Sequence, residues 1–113
     1  MKLLVILMFT LLAISAAMQQ APYYDRARPF ALNYGAIGSL IAHELTHAFD
    51  EEGRNYDSDG VKHEWMSQSS VEEYKKRSDC FKQQYSAIHD PTVGLNVSGD
   101  FSLKENIADN GAV

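Results

Sequence analysis

The apolar positions of the chain change period along its length, and each change marks an element. Leu3 to Ile14 form an apolar run interrupted only by Thr10. Residues 18 to 32 show no period and contain Pro22 and Pro29, which predicts an extended arm with turns. From Asn33 or Tyr34 onward, Ile37, Ile41, Leu45 and Ala48 recur at helical spacing, with Gly53 as the expected stop. The Asn-, Asp- and Gly-rich segment from Asn55 to Gly60 predicts a turn. A second helix is expected to begin at Ser69 or Ser70, because Ser69 with Glu72 and Ser70 with Glu73 both match a capping box. Its stripe of Val71, Tyr74, Phe81, Tyr85 and Ile88 reads as a core-facing surface. Pro91, Gly94 and Gly99 mark a loop, and Ser102 with Glu105 opens a third helix running to Gly111. The pattern is that of a small, mainly α domain.

The first apolar run bears on where the chain works. Lys2 precedes it and Ser15-Ala16-Ala17 follows, and charge, apolar stretch and small residues in that order read as a secretory signal peptide over residues 1–17. Twelve helical residues reach only about 18 Å, short of a hydrocarbon core of about 30 Å, so a membrane span is disfavoured. Removal of 17 of the 113 residues leaves residues 18–113 as a single domain, near the size at which staples or a metal become necessary. Hydrophobic residues at 45% and charged residues at 22% exclude a disordered chain. A net charge of −5 without a clustered basic surface speaks against nucleic acid as a partner. The lone Cys80 cannot form an internal disulfide, and Asn96-Val97-Ser98 is a glycosylation sequon compatible with export.

His43-Glu44-Leu45-Thr46-His47 carries the chemistry. A His-Glu-x-x-His pattern inside a helix puts two imidazoles one turn apart on the same face, where both ring nitrogens reach one Zn²⁺ at about 2.0–2.1 Å. Glu44 lies about 100° round the helix, placed to take a proton from a zinc-bound water and carry it to a leaving amine. A catalytic zinc needs a third protein ligand. His63 and His89 sit near turns and read as surface groups. Glu105 is better placed, with Asp109 one turn later to accept the far N–H of a ligating histidine; Asp50, three residues after His47, can serve the other. Glu105 also completes a capping box with Ser102, and spacing alone does not separate ligand from cap. Asn55 to Gly60 imitates the first half of a calcium loop, but position twelve is Met66 where a bidentate Glu belongs, so calcium is not expected.

Five blocks in order make the chain resemble the neprilysin and endothelin-converting-enzyme family of zinc metallopeptidases. They are Ala21-Pro22-Tyr23-Tyr24, Ala31 to Gly38, His43 to Asp50, Gly53 to Asp57 and Glu105 to Gly111. The resemblance implies a fragment of a thermolysin-like, mostly helical (gluzincin) catalytic domain. It also implies His43, His47 and Glu105 as ligands of one zinc, Glu44 as the catalytic carboxylate, and Asp109, with Asp50, behind the ligand histidines. Members of that family are ectoenzymes of the plasma membrane or secreted enzymes that cut peptides on the amino side of hydrophobic residues. They are several times longer, and no residue here matches the substrate-binding edge strand upstream or the His and Arg that hold substrate and oxyanion downstream. Ala36 stands where Gly is usual and Ala112-Val113 where Gly-Leu is common. Cys80 lies where relatives have a disulfided cysteine, so a longer chain would supply its partner. The expected function is therefore a secreted zinc metalloendopeptidase, or a truncated form of one, acting on a peptide or small protein. The alternative is a catalytically inactive secreted fragment that binds zinc or peptide.

Overall fold

The computed structural model describes residues 14–113. The expected signal peptide lies mostly outside the described residues; Ala16–Gln19 form one short 3₁₀ turn. The arm that follows is tied down by the buried Asn33, whose Oδ1 accepts from Asp25 N (3.1 Å) and whose Nδ2 donates to Asp25 O (2.8 Å).

Helix formation starts earlier than expected, at Phe30, because extended Pro29 lacks an N–H and is suited to the position before a first turn. α1 (Phe30–Asn33) runs without a break into a π-helical turn (Tyr34–Gly38), α2 (Ser39–Thr46) and a 3₁₀ turn (His47–Phe49). The helix ends at Asp50, before Gly53. The Asp50 backbone turns extended (ψ −176°) and its Oδ1 accepts from Glu52 N and Gly53 N at 2.8 and 2.7 Å, so an Asx-type turn replaces the next helical bonds. Gly53 serves a different purpose from a helix stop: a Cβ there would stand 1.9 Å from the His47 carbonyl oxygen.

α3 (Gln68–Ser86) begins before the expected capping boxes. Its N-cap is Ser67, whose Oγ accepts from Ser70 N at 3.2 Å. Glu72 and Glu73 make side-chain bonds along the helix instead, to Gln68 (2.9 Å) and Arg77 (2.9 Å). Of the expected stripe, Val71 is buried, Tyr74, Phe81 and Tyr85 are half-buried, and Ile88 lies past the helix end, exposed.

The expected loop after α3 contains a hairpin, β1 (His89–Asp90) paired antiparallel with β2 (Leu95–Asn96), its turn closed by Gly94 at φ +67°. α4 (Leu103–Gly111) then lies against both α2 and α3. Among the described residues, Val71 of α3 with Leu103, Ile107 and Ala108 of α4 make up the buried apolar core, while α2 contains no buried residue. The fold is mainly α, as expected. Among the described residues no helix is long and apolar enough to cross a membrane.

Candidate metal centre

α2 presents His43, and the 3₁₀ turn that continues it presents His47, toward α4, which carries Glu105 and Asp109. The two Nε2 atoms are 3.1 Å apart, and Glu105 Oε2 lies 3.5 Å from each. Behind this triangle, His43 Nδ1 meets Asp109 Oδ1 at 2.9 Å and His47 Nδ1 meets Asp50 Oδ2 at 2.7 Å. Each carboxylate accepts a hydrogen bond, so both imidazoles carry their proton on Nδ1 and turn a bare Nε2 lone pair inward. Two such nitrogens and a carboxylate oxygen converging on one point are an arrangement suited to a cation. The point equidistant from atoms so spaced lies about 2.0 Å from each, the length of a zinc–nitrogen or zinc–oxygen bond.

Glu105 does not serve as a helix cap. Ser102 makes no side-chain capping bond; its Oγ donates to Ser98 O (3.1 Å) and accepts from Asn106 Nδ2 (3.1 Å). The capping box does not form, and Glu105 faces the histidines. His63 and His89 stay outside the cluster, bonded to Asp57 (2.6 Å) and Asn96 (3.0 Å). Asp57 holds the Asn55 to Gly60 turn: its Oδ1 accepts from Asp59 N and Val61 N, and these bonds with His63 keep its carboxyl below the usual carboxylate range. Glu44, next to His43 on α2, is exposed.

Two clefts flank the site. His47 and Glu105 line one of about 330 Å³ with Tyr56 and Lys104. His43 and Asp109 line another of about 430 Å³ with Tyr23, Leu40 and Ala112.

Support from outside the motif is the part that sequence reasoning missed. A Cβ on Gly111 would stand 2.2 Å from Thr46 Oγ1, so this glycine lets α4 close on the turn of α2 between the two histidines. Nothing in the sequence signals this separately, because a glycine at a helix end reads as an ordinary C-terminal stop. Below the site the Arg54 guanidinium stacks over the Tyr74 ring, 5.0 Å from its centroid, and Arg54 Nη1 pairs with Glu64 at 3.1 Å. Burial first, then the charges of Glu51 and Asp50, push the Tyr74 hydroxyl up to about 12.

The pattern of Peptidase family M13 matches residues 8–113. Endothelin-converting enzyme 1 of Mus musculus is 50% identical over 98 residues, covering 87% of this chain and 12% of the relative. The endothelin-converting enzyme homolog of Locusta migratoria is 48% identical over 99 residues, 87% of this chain and 13% of that one. The crystal structure of PepO from Lactobacillus rhamnosis matches with a TM-score of 0.80 at 31% identity, over 86% of this chain and 15% of that chain. The Mycobacterium tuberculosis zinc metalloprotease Zmp1, solved with an inhibitor, gives 0.80 at 36% identity, over 86% and 16%. The chain thus spans about one-eighth of the length of the curated relatives it matches.

Proposed function

The chain belongs to peptidase family M13, a family with zinc metalloproteases among its members, and from that premise we propose that it carries the metal centre of a secreted zinc metalloendopeptidase. The observation that supports this reading best is the convergence of two oriented imidazole lone pairs and one carboxylate oxygen on a point about 2.0 Å from each. His43, His47 and Glu105 would hold one zinc. Asp109 and Asp50 fix the imidazole tautomers and, as hydrogen-bonded anions, raise the basicity of the ligands.

Zinc bound there supplies Lewis-acid polarisation and lowers the pKa of water towards about 7. Glu44, one residue round the helix from His43, would take a proton from water held at the site and pass it to the leaving amine nitrogen. A peptide or small protein is the substrate by family, and the cleft lined by Tyr23, Leu40 and Ala112 beside His43 supports a hydrophobic side chain next to the cut bond. Cys80, exposed on α3, is free to pair with a cysteine elsewhere in a longer chain.

A second reading, a zinc- or peptide-binding piece that does not cut, is favoured by one feature. α2 has no fully buried residue and Glu44 is exposed, so the site is open to water, where electrostatic stabilisation is weak. Purified wild type and Glu44→Gln decide. The enzyme reading requires both to bind one zinc and only the wild type to cleave a peptide with a hydrophobic residue after the cut. Equal binding with no cleavage by either leaves the binding reading.

A further inference from the structure

The hairpin between α3 and α4 contains Asn96, the acceptor of the only Asn-x-Ser/Thr sequon in the chain. Its side chain is exposed but not loose. Oδ1 accepts from His89 Nδ1 across the strand pair at 3.0 Å, and Nδ2 donates one hydrogen to the carbonyl of Ser86, the last residue of α3, at 3.0 Å. The second amide hydrogen makes no bond within the chain among the described residues. An N-linked sugar replaces one amide hydrogen and leaves the other, so the glycosylated side chain keeps one donor for the Ser86 carbonyl beside its Oδ1 acceptor.

We propose that Asn96 carries an N-linked glycan, attached before the domain folds, and that the glycosylated amide still fastens the hairpin to the end of α3. In the transfer, the bond between the sugar C1 and the diphosphate of a lipid-linked oligosaccharide donor breaks. A C1–Nδ2 bond forms, and one amide proton leaves. Folding comes afterwards because the folded side chain is held at both ends and the Ser98 hydroxyl of the sequon already accepts from Phe101 N at 3.3 Å. Once folded, the glycan projects from a hairpin whose Val93 and Leu95 are each about two-thirds exposed (64% and 67%), apolar surface that it would screen from solvent-borne contacts. The clamp matters for the site because the segment it anchors leads directly into α4. There Val97 N donates to Ile88 O (2.9 Å) and Gly99 N to Ser86 Oγ (3.2 Å).

This inference rests on the export reading and not on peptidase activity. The test translates the full 113-residue chain with secretory microsomes, beside Ser98→Ala and Ser98→Thr. The expected result is a cleaved leader and a glycosidase-sensitive increase in size for wild type and Ser98→Thr, absent from Ser98→Ala. A cleaved, lumenal chain with no glycosidase-sensitive species overturns the glycan while leaving export standing; a chain that never enters the lumen overturns both. A shift that persists in Ser98→Ala overturns the assignment to Asn96.

The folded glycoprotein also tests the clamp. Trimming with an endoglycosidase leaves one sugar on Nδ2 and keeps its N–H. Complete removal with a peptide N-glycosidase converts the residue to aspartate, which cannot donate to the Ser86 carbonyl. The trimmed form is expected to keep its Tm, and the fully deglycosylated form to melt lower by about 4–8 °C, the shift that losing one hydrogen bond gives a domain of this size. Equal Tm for the two products, or an equal fall in both, overturns the clamp.

Discussion

His47 gives its Nδ1–H to the buried carboxylate of Asp50, 2.7 Å away, and the other oxygen of that carboxylate ends the helix on which His47 sits. One side chain therefore does two jobs. By accepting from Glu52 N and Gly53 N it stops the helix three residues past His47, and by accepting from the imidazole it fixes which nitrogen faces Glu105. The other histidine has a simpler arrangement, since its partner Asp109 has a side chain 63% exposed while that of Asp50 is 5% exposed.

This asymmetry predicts unequal consequences for two similar substitutions. Asp50→Asn puts an amide N–H against at least one of the three donors that Asp50 now satisfies, in a place water does not reach. Zinc affinity is expected to fall about 10–100-fold, at the strong end of the range for carboxylates behind metal-bound histidines. Asp109→Asn, exposed and facing one donor, should fall at the weak end. Chelator competition on the purified chain measures both, and a larger loss for Asp109→Asn would contradict the two-job reading of Asp50.

Gly53→Ala tests the same loop from the backbone side. A Cβ cannot sit 1.9 Å from the His47 carbonyl oxygen, so either the loop moves off the helix end or the last turn distorts. The Gly53 N–H bond to Asp50 is lost in the first case and the direction of the His47 ring changes in the second. Both lower zinc affinity. Gly35→Ala is the control, because nothing lies within 4 Å of a Cβ there, and its affinity should match the wild type.

The helices of the chain were legible because their apolar spacing survives in the structure, and the third runs as expected from an N-cap at Ser102 to Gly111, but the bounds of the first two were not legible. Three serines lie close to the start of α3, and Ser67, Ser69 and Ser70 form one bonded group of hydroxyls that no spacing rule can rank. Ser67 takes the cap because it alone is extended, at ψ 152°, while Gln68 onward is helical. Ser67→Ala is therefore expected to lower stability by about 1 kcal/mol, within a range of roughly 0.5–2, and Ser69→Ala by clearly less in the same denaturant titration. The two-histidine turn was equally legible, since two residues four apart on a helix must share a face. Whether Glu105 was a ligand or a cap was not, because that depends on α4 docking on α2, a long-range contact set by Gly111 and Thr46.

Tyr74 gives the fold a pH limit on the alkaline side. Its hydroxyl is held up to about 12 against an ordinary value near 10. The neutral phenol is favoured in the folded state, so this contribution is complete below about pH 10 and is lost as pH rises toward 12. Ultraviolet titration should show one of the six tyrosines ionising after the rest, and Tyr74→Phe should remove that last phase. If the late phase survives in Tyr74→Phe, another tyrosine is the late one, and burial with the charges of Glu51 and Asp50 does not hold the Tyr74 hydroxyl neutral.

The small core makes the metal a structural partner as well as a chemical one. Among the described residues the buried apolar ones, Val71, Leu103, Ile107 and Ala108, come from α3 and α4, so α2 is held to the rest of the fold largely by half-buried contacts and the His and Glu cluster. A ligand that binds only the folded chain adds about 2.7 kcal/mol at one hundred times its Kd, which for about 100 residues raises Tm by roughly 10–20 °C. Zinc should produce this rise, a chelator should reverse it, and Glu105→Gln should reduce it while leaving the zinc-free Tm close to wild type, since Glu105 holds no helix end. Acid should abolish the rise before it unfolds the metal-free chain, because the ligand nitrogens must be unprotonated to bind. A Tm that ignores zinc would mean that the triangle does not close on the metal and that α2 docks by other contacts.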